Sequence, residues 1–308
     1  MVSNGSIGVV TVTYNSADVL DAFLRCVQVQ THEDFMLYVV DNASKDQTLE
    51  IARNWTDRRL RIIANLENLG VAEGNNQGIR SAIADGCHAV LLINNDTEFP
   101  ATLIQRLADG LDAHAVEMTC PKMMYYSESS RIWAAGGTLQ PLFGYRSVHF
   151  GENEIDRGQY DTARLVTYVP TCCVLIRSDV FRRIGVMDKH YFVYADDTDF
   201  MYRAFKAGIR LMYLPEIQLL HKVGGLTGGK LSAFSVRYTA RNRTYFLLRH
   251  CGFLAALTLL IAYQSYFAAS LILRRIDFRI YSIKERAVWE GIQLWRRRRS
   301  EVAAQCQL

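Results

Sequence analysis

Four short apolar runs, each separated from the next by an amphipathic stretch, constrain this chain more than any other feature. Ile7–Thr13 is β-branched and apolar between Gly5 and Asn15, and Met36–Val40 runs into Asp41. Leu60–Ala64 follows, and Ala89–Ile93 runs into Asn94-Asn95-Asp96. Runs of this length and composition read as buried strands. Between them, Ser16 stands where it caps a helix from Ala17 to about Gln28, with Val19, Leu20, Phe23, Leu24 and Val27 on one face. Ser44 opens a second helix and a third follows Gly70. Alternation of this kind builds βαβ units, so the expected fold class is α/β, a mainly parallel central sheet with flanking helices. Ligands of such sheets bind beyond the carboxyl ends of the strands. Here those ends carry Thr13-Tyr14-Asn15, Asp41-Asn42 and Asn94-Asn95-Asp96, which predicts a polar, acidic crevice.

Residues 121–170, with Gly136-Gly137, Gly144, Gly151 and Gly158, read as a loop-rich insertion or a substrate-facing segment. Regularity returns with a strand at Cys172–Ile176, a short helix at Asp179–Ile184 and a helix from Asp196 to about Ala207. A strand at Leu211–Leu214 follows, with His221 after it. A chain that is 50% hydrophobic and 21% charged is not a disordered one. Its seven cysteines form no C-x-x-C pair and read as reduced, mostly buried thiols, neither a disulfide framework nor a zinc site. The N-terminal residues lack the basic region of a secretory signal, so none is expected.

The net charge of +4 is unevenly placed. Residues 274–308 hold nine Lys/Arg and four Asp/Glu, whereas the other 273 residues hold 26 and 27. The positive excess therefore lies in the tail, beside the 23 uncharged residues from Cys251 to Leu273. That stretch exceeds the length of a spanning helix. Both its flanks are basic (Arg241, Arg243 and Arg249 before it, Arg274, Arg275 and Arg296–Arg299 after it), which disfavours crossing. A helix lying in the membrane surface, followed by a tail of interleaved Ile, Trp and Arg, is the preferred reading; a single span and a buried core helix are the alternatives.

Several polar residues carry a functional and a plain structural reading side by side. Asp96 at a strand end suits a hard divalent cation, or else caps a helix from Pro100 or closes a turn. Asp196, Asp197 and Asp199 at a helix start suit a general base, or else serve the helix dipole. His221 is either a satisfied core histidine or a group near a ligand, the latter favoured by the Gly224-Gly225 and Gly228-Gly229 loop behind it. The glycine-rich stretch Asn65–Gly78 offers backbone N–H groups to an anion without being a dinucleotide fingerprint.

Taken in order, six segments resemble glycosyltransferase family 2, the inverting enzymes of GT-A fold, and within it the bacterial rhamnosyltransferase-like branch. They are Val12–Ser16, Val39–Asp46, Asn68–Gly78, Leu92–Thr97, Tyr194–Phe200, and Tyr213-Leu214-Pro215 leading to His221, spanning about residues 7–250. The resemblance implies a catalytic domain at 1–250 and a membrane-associating region at 251–308. It implies that Tyr14 and Asp41 hold the base and ribose of a nucleotide sugar, with Asn15, Asn68, Gly70, Asn75, Asn94 and Arg241 among the groups around that donor. Asp96 and His221 would hold Mg²⁺ or Mn²⁺ on the diphosphate, Asp197 would be the base that deprotonates the acceptor hydroxyl, and Asp196 would orient it or bind the acceptor. Two positions depart from the family pattern: Asn94 stands where many members carry an acid, and Ala195 replaces a bulkier residue before the acid pair.

The implied reaction moves a sugar, foremost L-rhamnose from dTDP-L-rhamnose, onto a lipid-diphosphate-linked saccharide at the cytoplasmic face of the membrane, the protein being peripheral or monotopic. Arg241-Asn242-Arg243 suits either diphosphate, or else forms a basic helix face. A UDP- or GDP-hexose is the alternative donor, and a catalytically inactive sugar-nucleotide-binding scaffold the alternative function. A nucleotidyltransferase would need a basic glycine-rich loop where Tyr14–Asp18 stands. Nucleic acid is not an expected partner, because Ile and Trp interleave the basic tail.

Overall fold

The computed structural model describes residues 6–222 and 232–305. In chain order the elements are β1 (Ile7–Thr13), α1 (Ala17–Gln28), β2 (Phe35–Asp41), α2 (Thr48–Asn54), β3 (Leu60–Ala64), α3 (Gly70–Ala84), β4 (Ala89–Ile93), β5 (Thr97–Glu98), α4 (Leu103–Ala113) and β6 (Met118–Tyr125). Then come β7 (Ile132–Ala134), β8 (Gly137–Gln140), β9 (Arg146–His149), β10 (Arg164–Val166), β11 (Cys173–Arg177), α5 (Ser178–Ile184), α6 (Asp196–Lys206) and β12 (Leu211–His221). Three helices follow: α7 (Ala233–His250), α8 (Phe253–Ile272) and α9 (Phe278–Gln305).

The chain forms two compact units. The first is built on a ten-stranded sheet ordered β10-β12-β6-β11-β4-β1-β2-β3, with β5 paired to β12 and β7 to β6. The β4-β1-β2-β3 half is parallel, as the alternation of strands and helices requires. β11 then runs antiparallel between β4 and β6, and β6 and β12 are parallel to each other. Strands β1 and β4 are buried almost throughout, the pattern of parallel strands covered on both faces. Helix α3 lies very close to β1 because its packing face is small. A Cβ on Gly74 would come within 2.7 Å of Val12 and one on Gly78 within 2.3 Å of Val10, while Gly8 faces Ala82. The glycines expected to offer N–H groups to an anion thus form a packing surface at positions 74 and 78.

The structure departs from the sequence reading in four places. Residues 121–170 are loop-rich but no mere insertion: β6 enters the centre of the main sheet, β7 and β10 join that sheet, and β8 pairs with β9. Pro121 and Lys122 break the apolar signature of β6, yet Lys122 is wholly buried, its Nζ donating to Asp156 at 2.7 Å and to Asp161. β12 continues past Pro215 to His221, with an irregularity between Leu214 and Gln218, so His221 stands in a strand, not after one. Helix α2 begins at Thr48 because Ser44 is engaged elsewhere, its N–H and Oγ donating to the Asp41 carboxylate. Finally, α7 groups with the C-terminal helices and with Gln140–Arg146 and Val193–Ala195, so the compact units do not divide at residue 250.

The second unit comprises Gln140–Arg146, Val193–Ala195 and the described residues from Ser232 onward. Ala240 of α7 packs with Ala287 and Val288 of α9, and Gly291 lets the two helices approach, a Cβ there falling 2.4 Å from the Arg241 carbonyl. Asn242, wholly buried, donates from Nδ2 to the carbonyls of Val193 at 2.7 Å and Tyr194 at 2.8 Å. Arg243 donates to the carbonyls of Gly144 at 2.8 Å and Phe143. Helix α8 is the one described helix long and apolar enough to cross a membrane, and it buries almost nothing within its unit. The buried-core alternative for this stretch is therefore removed.

Candidate active site

The carboxyl ends of β1, β2 and β4 meet through polar side chains of their own tips. Asp41, 1% exposed, ends β2 and accepts from Thr13 Oγ1 at 2.9 Å, from Ser44 N at 3.0 Å and from Ser44 Oγ at 2.5 Å. Asn15, in the left-handed region at φ +50°, donates from its N–H to Ser44 Oγ and accepts at Oδ1 from Lys45 N. Asn95 donates to the Val12 carbonyl at 2.6 Å and so joins β4 to β1. Tyr14, at the tip of β1, is 36% exposed and leaves an aromatic face open beside Asp41's loop.

The start of α3 is tied to the same region. Asn42 Nδ2 donates to the Gly70 carbonyl at 3.0 Å, and Gly70 N donates to Asn68 Oδ1 at 2.9 Å. Gly70 has φ +83°, and a Cβ there would fall 2.4 Å from the Phe192 carbonyl oxygen, which also accepts from Val71 N. Gly70 is therefore fixed by conformation and by space together. Asn75 is buried one turn further along α3.

Asp96 and His221 come together from β4's tip and the end of β12, His221 Nε2 lying 3.2 Å from Asp96 Oδ1. The β5–β12 register sets His221 opposite Thr97. Asp96 does not cap a helix: α4 begins at Leu103 after Thr102. Asp96 Oδ1 faces His221 Nε2, so the imidazole is its partner, while His221 Nδ1, on the other side of the ring, is buried without a hydrogen-bond partner among the described residues. Burial works against the His221 imidazolium while Cys172 and the Asp96 carboxylate favour it, and the net shift is upward. Cys172 is itself pushed up by burial and keeps its proton at neutral pH, so Asp96 is the charge that favours the imidazolium. Asn94 is exposed beside this pair, its N–H donating to the Cys172 carbonyl at 2.9 Å.

A carboxylate beside an imidazole nitrogen suits a divalent cation, which would displace the proton held between them. No group of three or more His, Cys, Asp or Glu with metal-holding geometry occurs among the described residues. The chain would supply two ligands and leave the remaining positions to phosphate oxygens and water, as is common where Mg²⁺ or Mn²⁺ serves a diphosphate.

The three acids of α6's first turn have separate fates. Asp199 is fully buried and structural, accepting from Arg203 Nε at 2.8 Å and from the Tyr191 hydroxyl at 3.1 Å. Asp196 is also buried, and its carboxyl is pushed up to about 8 by that burial and by the neighbouring Asp197 charge. Burial and the neighbouring carboxylate thus both favour the protonated form of Asp196. Asp197 is partly exposed; Oδ2 accepts from the Tyr168 hydroxyl at 2.6 Å and Oδ1 from Thr198 N at 2.6 Å. Directly before this turn Phe192, Tyr194 and Ala195 all have φ near +60°, a conformation costing non-glycine residues about 1–2 kcal/mol each.

Three residues that sequence reasoning missed connect the two halves of the site. The Trp133 ring meets His221 edge-to-face at 4.3 Å and His149 at 5.0 Å, and His149 stacks on Tyr168 at 5.7 Å. They lie in the segment read as loop, where an aromatic residue just ahead of Gly136-Gly137 was the signal available. Arg241 stands on α7 in the second unit, over the Tyr238 ring at 4.6 Å and donating to Asn242 Oδ1. Its neighbours Asn242 and Arg243 are engaged on backbone carbonyls. The glycine loop at 224–229 lies outside the described residues.

Comparison with known proteins bears on the family and the fold. Residues 8–185, more than half of the chain, match Glycosyl transferase family 2. The chain is 23% identical over 252 residues to the dTDP-rhamnosyl transferase RfbF of Shigella flexneri, covering 80% of this chain and 79% of that one. It is 24% identical over 280 residues to the N-acetylglucosaminyl-diphospho-decaprenol L-rhamnosyltransferase of Mycobacterium tuberculosis, covering 79% and 85%. Among solved structures, the mannosyltransferase PcManGT of Pyrobaculum calidifontis, in complex with GDP-Man and Mn²⁺, superposes with a TM-score of 0.55 at 15% identity, over 94% of this chain and 86% of that one. The α/β architecture, the acidic strand ends and the family match lead to one conclusion: this chain belongs to glycosyl transferase family 2 and is a glycosyltransferase.

Proposed function

We propose that this glycosyltransferase moves L-rhamnose from dTDP-L-rhamnose onto a saccharide carried on a lipid diphosphate, with inversion at the anomeric carbon. The observation that carries the reading is the division of labour among the acids. Asp96 and His221 form a carboxylate–imidazole pair suited to a cation, while only Asp197 of the α6 acids is partly exposed. The donor and acceptor classes rest on the relatives, one named for dTDP-rhamnose and one for a GlcNAc-diphospho-decaprenol acceptor.

Tyr14 would stack on the nucleobase, and Asp41, already fixed by Thr13 and Ser44, would face the ribose. Asp96 and His221 would hold Mg²⁺ or Mn²⁺, which when bound neutralises charge building on the departing diphosphate. Asp197 takes the proton of the acceptor hydroxyl as it attacks. Tyr168 and the Thr198 N–H fix the direction of its carboxylate, and burial favours the protonated form of Asp196 beside it. A single base and a single displacement invert the configuration, with no carboxylate nucleophile of the retaining kind.

The same reading puts the protein on the cytoplasmic membrane surface. Phe253, Leu254, Leu257, Ile261 and Tyr266 of α8 are exposed, and the charged α9 is bound to that helix. Lys284 of α9 is wholly buried, lies 4.0 Å from the Phe267 ring centre and donates to Gln264. A spanning α8 would drag this charged group with it, so a helix pair lying in the interface is the lower-cost arrangement.

The test is binding of dTDP-L-rhamnose, UDP-GlcNAc and GDP-mannose with and without Mn²⁺, followed by transfer to a short lipid-diphosphate saccharide. Metal-dependent binding of dTDP-L-rhamnose with transfer, both lost in Asp96→Ala and only transfer lost in Asp197→Asn, is expected. Failure of every nucleotide sugar to bind would refute the reading.

A further inference from the structure

In a direct displacement the transferred sugar lies between the diphosphate and the attacking hydroxyl. Within the first unit, the residues assigned to those two ends are Asp96–His221 and Asp197, and what lies between them is aromatic. Trp133 meets the His221 ring and the His149 ring edge-to-face; His149 stacks on Tyr168, whose hydroxyl donates to Asp197. His149 is held in turn by a hydrogen bond from its Nδ1 to the Trp133 carbonyl, 3.2 Å.

Trp133 does not behave as a core residue. Its strand neighbours Ile132 and Ala134 are fully buried, and the alternation of β7 turns the indole to the opposite side, where it is only partly buried. Its ring neighbours among the described residues are two imidazoles. A large indole left partly uncovered beside polar rings gains free energy when an apolar surface covers the rest of it. The carbon–hydrogen face of a pyranose is such a surface, flat and of about the area of an indole, with hydroxyls at its rim for the histidines and carboxylates.

We propose that Trp133, with His149 at its edge, forms the floor of the subsite that holds the transferred sugar. The assignment rests on the donor reading above, since it takes Asp96–His221 and Asp197 as the two ends of the reaction line. The indole recognises the sugar and not the nucleotide: it packs against the pyranose ring and keeps the anomeric carbon between leaving group and base. His149, locked against Trp133 and Tyr168, couples the floor to the side of the site where the base stands.

The test compares a nucleotide sugar with its bare nucleotide on the full chain, in the presence of Mn²⁺. For Trp133→Ala, the Kd of dTDP-L-rhamnose should rise 10-fold or more while that of dTDP changes less than 2-fold. Trp133→Phe, which keeps a ring, should recover most of the loss. In the unaltered protein dTDP-L-rhamnose should quench emission beyond the effect of dTDP, and Trp133→Phe should remove that extra quench. The dTDP affinity itself reports whether each variant is folded. Equal losses for dTDP and dTDP-L-rhamnose, or no loss for either, would overturn the sugar-floor assignment while leaving the donor reading intact. If the unaltered chain binds dTDP but not the sugar-bearing form, the donor reading falls and this proposal with it.

Discussion

Gly70 is where the start of α3 meets the turn ahead of the acid pair, and it offers an unusually clean perturbation. Gly70 and Gly86 share the same φ of +83°, but a Cβ on Gly86 meets nothing within 4 Å. On Gly70 it would fall 2.4 Å from the Phe192 carbonyl oxygen, 2.6 Å from the Phe192 ring and 2.8 Å from its Cα. Alanine at either position incurs the left-handed strain, about 1–2 kcal/mol, less the ~0.4–1 kcal/mol gained by restricting the unfolded chain. That part cancels between the two variants. Gly70→Ala also forces two backbone segments apart, an overpacking cost of about 1–3 kcal/mol. It strains the Val71 N–H to Phe192 hydrogen bond too, about 1 kcal/mol more. Gly70→Ala should therefore be less stable than Gly86→Ala by about 2–4 kcal/mol. The assay is urea unfolding by tryptophan emission in a Trp289→Phe, Trp295→Phe background, so that Trp55 and Trp133 report the first unit. Turnover should fall in Gly70→Ala alone, since Phe192 leads into the turn that delivers Asp196 and Asp197. Equal destabilisation by the two variants would refute the claim that the α3 start and the Phe192 turn are rigidly apposed.

Three further outcomes are expected. Tyr168→Phe removes the donor to Asp197 Oδ2, a bond to a charged group of the kind worth about 1.5–3 kcal/mol, so kcat should drop by roughly tenfold or more with nucleotide affinity unchanged; an unaltered kcat would sever Tyr168 from the base. Asp196 holds its proton up to about pH 8 in the folded chain but only to about 4 when unfolded. The folded state binds one more proton between those values, so stability falls as pH rises from about 4 to about 8. The thermal midpoint of Asp196→Asn should lack that contribution, and identical pH profiles for the two proteins would contradict it. Replacing Leu257 and Ile261, both exposed on α8, with Glu should abolish sedimentation with vesicles containing anionic lipid while leaving the thermal midpoint within a degree or two. Retained binding would remove α8 from the membrane contact.

The elements legible in the sequence are those whose signal is local. β1, β3 and β4 begin and end where their apolar runs do, and α1 spans the expected residues because its apolar positions recur with helical spacing. Asp41, Asp96 and Asp197 were visible as candidates because chain position alone marks a strand end or a helix start. Where a long-range bond competes, local reading falters. Ser44 was expected to start a helix, but it is drawn to Asp41 and α2 starts at Thr48. Lys122 disguises β6, since a buried lysine is affordable only with Asp156 and Asp161 beside it, and those residues are more than thirty positions away.

The amino-acid sequence by itself determined the alternating α/β plan, the acidic strand ends, the family, and a basic, apolar tail. Tertiary structure alone decided which of three clustered acids is reachable: Arg203 claims Asp199, burial silences Asp196, and Tyr168 aims Asp197. It alone brought residues 133, 149, 168 and 221 into one aromatic row. The physical reason is one of range. Backbone periodicity and capping act over a few residues and leave their mark in the chain, whereas ring contacts, shared charge and buried hydrogen bonds join residues that only packing makes neighbours.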